Sequence, residues 1–221
     1  NETVNAVIPS DVQQIIKSLD YFLVENIKTA RRFLKAVDKS IEIDDLTFEI
    51  LDKKSTEDEV LQMILPLLQG KKAGIISEAG CPGIADPGAM AVEMCHQNSI
   101  PVVPLVGPSS ILLALMASGM NGQGFTFHGY LPIDKKDKAQ KIKELDRLAS
   151  HSGISQIFME TPYRNNQLLE DVIKLSSNYT KLCIAANITS RDEFIKTKPI
   201  IDWKKTKIDL NKIPAIFILG R

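Results

Sequence analysis

Twelve residues hold the densest chemistry-bearing pattern in this chain. From Ser77 to Gly88 it reads SEAGCPGIADPG, with Glu78 and Asp86 as the only charges among Gly80, Pro82, Gly83, Pro87 and Gly88. Glycines let a backbone approach a ligand closely or take positive φ, and prolines fix φ and remove donors. A loop this stiff suits a ligand cradle, and it also suits a tight structural turn. A second loop, Val106 to Ser110, sets Gly107 and Pro108 before Ser109 and Ser110, either of which can cap a following helix. Neither loop matches GxGxxG or GxxxxGK[ST], so a nucleotide-like ligand here is expected to be held by backbone and apolar contacts rather than a phosphate nest. A third feature is Glu25, a carboxylate at the end of the short apolar run that starts at Tyr21. It reads equally as a base and as a cap or ion-pair partner of Lys28 or Arg31.

These residues need a scaffold. Ala73–Ile76 and Val102–Leu105 read as buried parallel strands, each followed by one of the two loops and then an apolar helix pattern. In open α/β sheets, ligands sit outside the carboxyl ends of the strands, where such loops lie. A helix is expected from about Asp11 to Leu19, a strand over Tyr21–Glu25, and a helix opening at Ser55–Glu59 and running to Leu68. The segment Ile111–Ala117 is apolar all round and is expected to be buried. Asn121–Gly124 reads as a flexible junction, which divides the chain into 1–120 and 121–221. Beyond it, strands are expected at Phe125–Tyr130, Ile154–Met159, Lys181–Ala186 and Ala215–Leu219. Helices are expected at Asp134–Leu148 and Asn165–Ser176, with a hairpin arm at Glu193–Lys196 and Trp203 in a short helix.

Composition bounds the rest. The 221 residues allow one large or two small domains, and 44% apolar with 24% charged is ordinary for a globular chain. The balance of 27 basic and 27 acidic residues argues against nucleic-acid binding through overall charge, but leaves room for a local patch. Two basic runs stand out: Lys28, Arg31, Arg32 and Lys35 near a helix start, and five lysines between Lys135 and Lys143. Each reads as a solvated helix face or as a set of phosphate contacts. Three cysteines, Cys81, Cys95 and Cys183, are too scattered for a disulfide framework or a zinc site, which fits a reducing, cytoplasmic setting. No apolar run reaches membrane-spanning length and no signal peptide is visible. His128 falls inside a strand pattern and reads as a hydrogen-bonded structural histidine.

SEAGCPGIADPG, followed by PLVGPSS (Pro104–Ser110) and ALMASG (Ala114–Gly119), resembles the tetrapyrrole methylase superfamily of S-adenosylmethionine-dependent methyltransferases. The likeness is greatest to its ribosomal RNA small-subunit methyltransferase I branch. It continues in order through FTFHGYLP (Phe125–Pro132), METPYR (Met159–Arg164) and PAIFILGR (Pro214–Arg221), and covers almost the whole chain. The resemblance implies two α/β domains of the class III methyltransferase type with a cofactor cleft between them, and a symmetric homodimer. It implies S-adenosylmethionine as cofactor, and ribose 2′-O-methylation of small-subunit ribosomal RNA as the activity. Carried over by position, the cofactor contacts are Gly80, Cys81, Pro82, Ile84, Ser109, Ser110, Glu160, Ala185, Pro214 and Ala215. The general base falls to Glu25, then Glu160 or Glu78, and RNA contacts to Lys28, Arg31, Arg32 and Arg164.

The chain departs from that pattern in places. Where the family has Glu-Asp-Thr-Arg it has Glu25, Asn26, Ile27 and Lys28, and where the family often has Arg-Glu it has Ala186 and Asn187. Members of the family begin with an earlier apolar strand. A central strand missing from a parallel sheet would leave an apolar gap, so the sequence is expected to lack its start. Fuller members also carry a further C-terminal helical segment. Two other readings stay open: a tetrapyrrole or other small-molecule methyltransferase, and a non-catalytic cofactor-binding interaction module.

Overall fold

The computed structural model describes residues 4–221. The chain folds as two compact units, the first ending at Ser109 and the second spanning Ser110–Arg221. The division precedes the glycine-rich junction at Asn121–Gly124 because the apolar helix Ser110–Ser118 belongs to the second unit. Its Ala114 and Leu115 pack with Ile157, Cys183, Ala185, Ile216 and Ile218 of that unit's sheet.

The first unit contains helices α1 (Val4–Val7), α2 (Ser10–Lys17), α3 (Ile27–Val37), α4 (Glu57–Leu68) and α5 (Ala89–Gln97), with strands β1 (Tyr21–Val24), β2 (Thr47–Ile50) and β3 (Gly74–Ile76). The strands form an all-parallel sheet in the order β2-β1-β3. Central β1 is apolar and buried on both faces, as a parallel strand between helical layers must be. One face packs Phe22 and Val24 against Ile16, Ala30 and Leu34, and the other packs Tyr21 and Leu23 against Leu51, Val60 and Ala91. Gly74 suits this packing, because a Cβ there would stand 3.0 Å from the Phe22 ring, tighter than an ordinary contact. Helix α4 opens with a capping box: the Thr56 hydroxyl accepts from the Glu59 N–H, and the Glu59 carboxylate accepts from the Thr56 N–H.

The strand expected over Val102–Leu105 is not formed. The segment has no regular secondary structure and no strand partner among the described residues, where β3 pairs only with β1. Val103 and Val106 are each 72% exposed. Apolar β-branched residues give a segment the propensity for a strand, but the strand exists only where a neighbour takes its backbone hydrogen bonds.

The second unit contains α6 (Ser110–Ser118), β4 (Phe125–Tyr130), α7 (Lys135–Ser152), β5 (Ser155–Met159), α8 (Asn165–Leu175), β6 (Lys181–Ala186), β7 (Phe194–Pro199), α9 (Ile200–Trp203) and β8 (Ala215–Gly220). Its sheet has five strands in the order β4-β5-β8-β6-β7. Only β4 and β5 run parallel; the other three pairings are antiparallel. The last strand is therefore central, and its six residues are all buried. Trp203 is fully buried and donates from Nε1 to the Leu182 carbonyl at 2.9 Å, which fixes α9 to β6. Helix α6 is not buried all round: Leu112 is half exposed, and Met116 is 78% exposed.

Candidate active site

In the first unit the candidate residues gather at the carboxyl ends of the parallel strands. Glu25 directly follows β1, and Ser77 opens the cradle loop directly after β3. β1 and β3 are neighbours in register, with Val24 opposite Ile76, so the residues beyond their ends must meet. The Glu25 Oε1 accepts from the Glu78 backbone N–H at 3.0 Å. The Thr29 hydroxyl, one turn into α3, donates to Glu78 Oε1. Asn26 caps α3 by accepting from the N–H groups of Lys28 at 2.9 Å and Thr29 at 3.3 Å. An amide oxygen caps as well as a carboxylate, so Asn26 preserves the helix start that holds Thr29 in place.

The cradle loop folds back on itself. Gly83 N–H donates to the Pro87 carbonyl and Ile84 N–H to the Cys81 carbonyl, both at 3.1 Å. Gly80, Gly83 and Gly88 all have positive φ. At Gly88, where φ is 136°, a Cβ would lie 3.1 Å from the Gly83 nitrogen, so only glycine lets the two ends of the loop meet. The Cys81 thiol donates to the Pro108 carbonyl at 3.5 Å, which brings the cradle loop beside the loop carrying Ser109. Of the residues expected to hold cofactor, Gly80, Cys81, Pro82, Ile84 and Ser109 therefore lie together in this unit. A groove of about 660 Å³ lies elsewhere on the unit, between Ile27, Phe48, Ile50 and Met63, and no candidate residue lines it.

Asp86 was not singled out for chemistry by its sequence, yet its carboxyl is perturbed. Burial, and then the negative charge of Glu25, push it up, with Lys53 acting against them. A carboxyl raised in the fold costs stability when ionised. Asp86→Asn is therefore expected to raise the melting temperature at pH 7. The gain should shrink as pH falls and vanish below the ordinary carboxyl value of 3.8, where both chains are neutral at this position. Thermal melts of the two proteins across that range check this; a gain independent of pH, or a loss at pH 7, would contradict it.

In the second unit Ser110 opens α6, and Glu160, Ala185, Pro214 and Ala215 lie at one end of the sheet. Ala186 pairs with Ala215, and Ala185 and Met159 both stand opposite Ile216 from either side. Asn187 N–H donates to the Pro214 carbonyl at 3.0 Å. Ala185, Pro214, Ala215 and Glu160 are thus neighbours across β6, β8 and β5. Asn187 and Thr189 both have positive φ, and asparagine is among the few residues that tolerate this, so the change from the family's acid coincides with a left-handed backbone position.

Two candidates look different in place. Glu160 is buried, and its Oε1 accepts from the Thr161 N–H and from Arg164 Nη2, each at 2.7 Å. This carboxylate is committed to holding the turn, a poor state for a proton acceptor. Arg164 is committed in return, and also donates from Nε to the Thr161 hydroxyl at 3.1 Å. Arg31 is paired as well, with Asp44 at 2.9 Å. Lys28, Arg32 and Lys35 form an exposed i, i+4, i+7 row on α3, with Lys35 Nζ also donating to the Lys39 carbonyl at 3.0 Å. His128 is hydrogen-bonded to Gln156 at 2.8 Å, as a structural histidine would be.

Comparison with known proteins agrees with this architecture. Residues 8–202 match the family model described as Tetrapyrrole (Corrin/Porphyrin) Methylases. A Vibrio cholerae protein named ribosomal RNA small subunit methyltransferase I is 30% identical over 189 residues, 85% of this chain and 62% of that protein. The chain thus spans less than two thirds of that relative's length. The crystal structure of the methyltransferase CobJ superposes with a TM-score of 0.64 at 14% identity, over 98% of this chain and 89% of that one. A uroporphyrin-III C-methyl transferase from Thermus thermophilus, solved with S-adenyl homocysteine, gives 0.54 at 13% identity, over 96% and 90%. With a match across most of its length and loops gathered at the strand ends, the chain belongs to the tetrapyrrole (corrin/porphyrin) methylase family.

Proposed function

We propose that the protein is an S-adenosylmethionine-dependent methyltransferase acting on a ribose 2′-hydroxyl of small-subunit ribosomal RNA. The observation that carries this reading is Glu25: a carboxylate at the carboxyl end of the central parallel strand, tied through the Glu78 N–H to the start of the cradle loop. The names of the relatives point to small-subunit ribosomal RNA, and the family resemblance to the ribose 2′-hydroxyl.

The residues present fit a nucleoside held by backbone and apolar contacts. Gly80 and Gly83 themselves carry no Cβ, and among the described residues nothing lies within 4 Å of where a Cβ on Gly107 would stand. Gly80, Cys81, Pro82, Ile84 and Ser109 would hold the cofactor on the first unit; the family resemblance adds Ser110, Ala185, Pro214 and Ala215 as further contacts. S-adenosylmethionine supplies a methyl group already activated on a sulfonium. The protein's work is then to align the acceptor, exclude water and remove one proton. With Glu25 Oε1 engaged by the Glu78 N–H, Oε2 is left to take the hydroxyl proton. Thr29 holds the Glu78 side chain, and so positions the residue that positions the base.

Lys28, Arg32 and Lys35 would meet the RNA backbone, because phosphate contacts come from exposed, unneutralised cations on one helix face. No helix among the described residues is long and apolar enough to cross a membrane. We infer a cytoplasmic protein working as a symmetric homodimer, as the family resemblance implies.

The test is transfer of labelled methyl from S-adenosylmethionine to small-subunit ribosomal RNA, with a porphyrinogen as the competing acceptor. Label in the RNA, resistant to alkaline cleavage at the modified ribose, is expected. The Lys28→Glu/Arg32→Glu variant is expected to weaken RNA binding by about tenfold or more at low salt, with a shallower salt dependence, since each lost phosphate contact removes about 0.7 from the log–log slope on single strands. Label in the porphyrinogen alone would move the substrate to the tetrapyrroles.

A further inference from the structure

Helix α7 carries a second row of cations. Lys136, Lys143 and Arg147, with Gln140 between them, occupy positions i, i+7, i+11 and i+4 of one helix face, and all four side chains are exposed. At 1.5 Å per residue the row is about 16 Å long. The opposite face, Ile142, Leu145 and Ala149, is fully buried in the core of the second unit, so the helix cannot rotate the row away.

Most other charges of the helix are paired or serve as caps; Lys135, in the first turn, is exposed and lies off the row. Lys138 pairs with Asp171 at 2.7 Å, and Lys141 with Glu144 at 3.1 Å. Asp134 caps the helix by accepting from the N–H groups of Lys136 and Asp137. Asp146 accepts from the Thr180 hydroxyl and the Ser177 N–H. Only Asp137, beside the row at its first turn, remains an uncommitted acid. A solvated helix in a chain of zero net charge has no need to neutralise its cations on one side and leave them bare on the other. The row holds no apolar residue. It therefore lacks the aromatic or aliphatic anchor of a protein interface, and the apolar wedge of a membrane-surface helix.

We propose that Lys136, Gln140, Lys143 and Arg147 form an RNA-backbone contact on the second unit, reading phosphate and sugar without sequence preference. This rests on the RNA reading above. Lysine and arginine would pair with successive phosphates, and the Gln140 amide would bond a phosphate or sugar oxygen.

The experiment compares the wild-type protein with Lys136→Glu/Lys143→Glu/Arg147→Glu. It measures affinity for small-subunit ribosomal RNA over a salt series, together with S-adenosylmethionine binding. The triple variant is expected to lose about 100-fold or more in RNA affinity at low salt, and to flatten the log–log slope by about 2, three contacts at about 0.7 each. Cofactor affinity should not change. The milder Lys136→Gln/Lys143→Gln/Arg147→Gln variant should fall between, and it serves if charge reversal impairs folding. An unchanged slope, in a protein that itself binds RNA in a salt-dependent way, would overturn the α7 contact and leave the RNA reading standing. No salt-dependent RNA binding by the wild type would overturn both. Loss of binding to phosphatidylserine vesicles, with RNA affinity intact, would reassign the row to a membrane surface.

Discussion

Glu25→Gln is expected to lower methyl transfer by about 10²- to 10⁴-fold while leaving cofactor affinity within a few-fold of wild type, the range for loss of a positioned general base. The amide oxygen of glutamine can still accept from the Glu78 N–H, so the tie between β1 and the cradle loop survives, and only the proton acceptor is lost. The drop should fall on kcat, because the proton is taken in the transition state and not on binding. Glu78→Gln should do much less, since the Glu78 contribution to that tie is its backbone. Single-turnover transfer with saturating cofactor is the measurement. A Glu25→Gln protein within threefold of the wild-type rate would remove Glu25 from the chemistry.

Arg164→Met is expected to destabilise the second unit by about 3 kcal/mol, because it leaves the buried Glu160 carboxylate without its counter-charge. The Glu160 side chain is 3% exposed and keeps only the Thr161 N–H in the variant. Arg164 is itself 42% exposed, which places the loss at the low end of the range for breaking a buried pair. The fluorescence of the single tryptophan, Trp203, buried in the same unit, reports the transition in a urea titration. Adding Glu160→Gln to Arg164→Met should restore most of the loss, since the orphaned charge is then gone. If Arg164→Met unfolds at the wild-type midpoint, Glu160 is not held by this pair. Free of it, Glu160 becomes available again as a proton acceptor.

Much of this was legible in the sequence, for identifiable reasons. β6 spans the expected Lys181–Ala186 because a six-residue run with one exposed end has few other ways to fold. The capping box of α4 lay in plain view at Thr56 and Glu59. The Glu25–Glu78 tie crosses more than fifty residues, and was reachable only through the rule that strand-end residues of neighbouring parallel strands meet. The Glu160–Arg164 pair sits at i, i+4, yet the motif around it read as two separate functional candidates, because burial is not visible in a string of letters. Helix α6 is mostly apolar, and such a pattern names no partner, so the glycine-rich junction after it drew the expected boundary to Asn121–Gly124 while the structure divides before the helix. Val102–Leu105 has the composition of a strand and none of the pairing, which is a property of the neighbours and not of the segment. The perturbed Asp86 depends on the fold of its own loop and on Glu25, neither of which its local sequence reveals.

The most direct test of the account is a calorimetric titration of the purified protein with S-adenosylmethionine, and separately with S-adenosylhomocysteine. Saturable one-to-one binding of both is expected, weakened by Gly88→Ala, whose added Cβ meets the Gly83 nitrogen and opens the cradle. No heat of binding with either nucleoside at millimolar concentration would contradict the methyltransferase reading at its root.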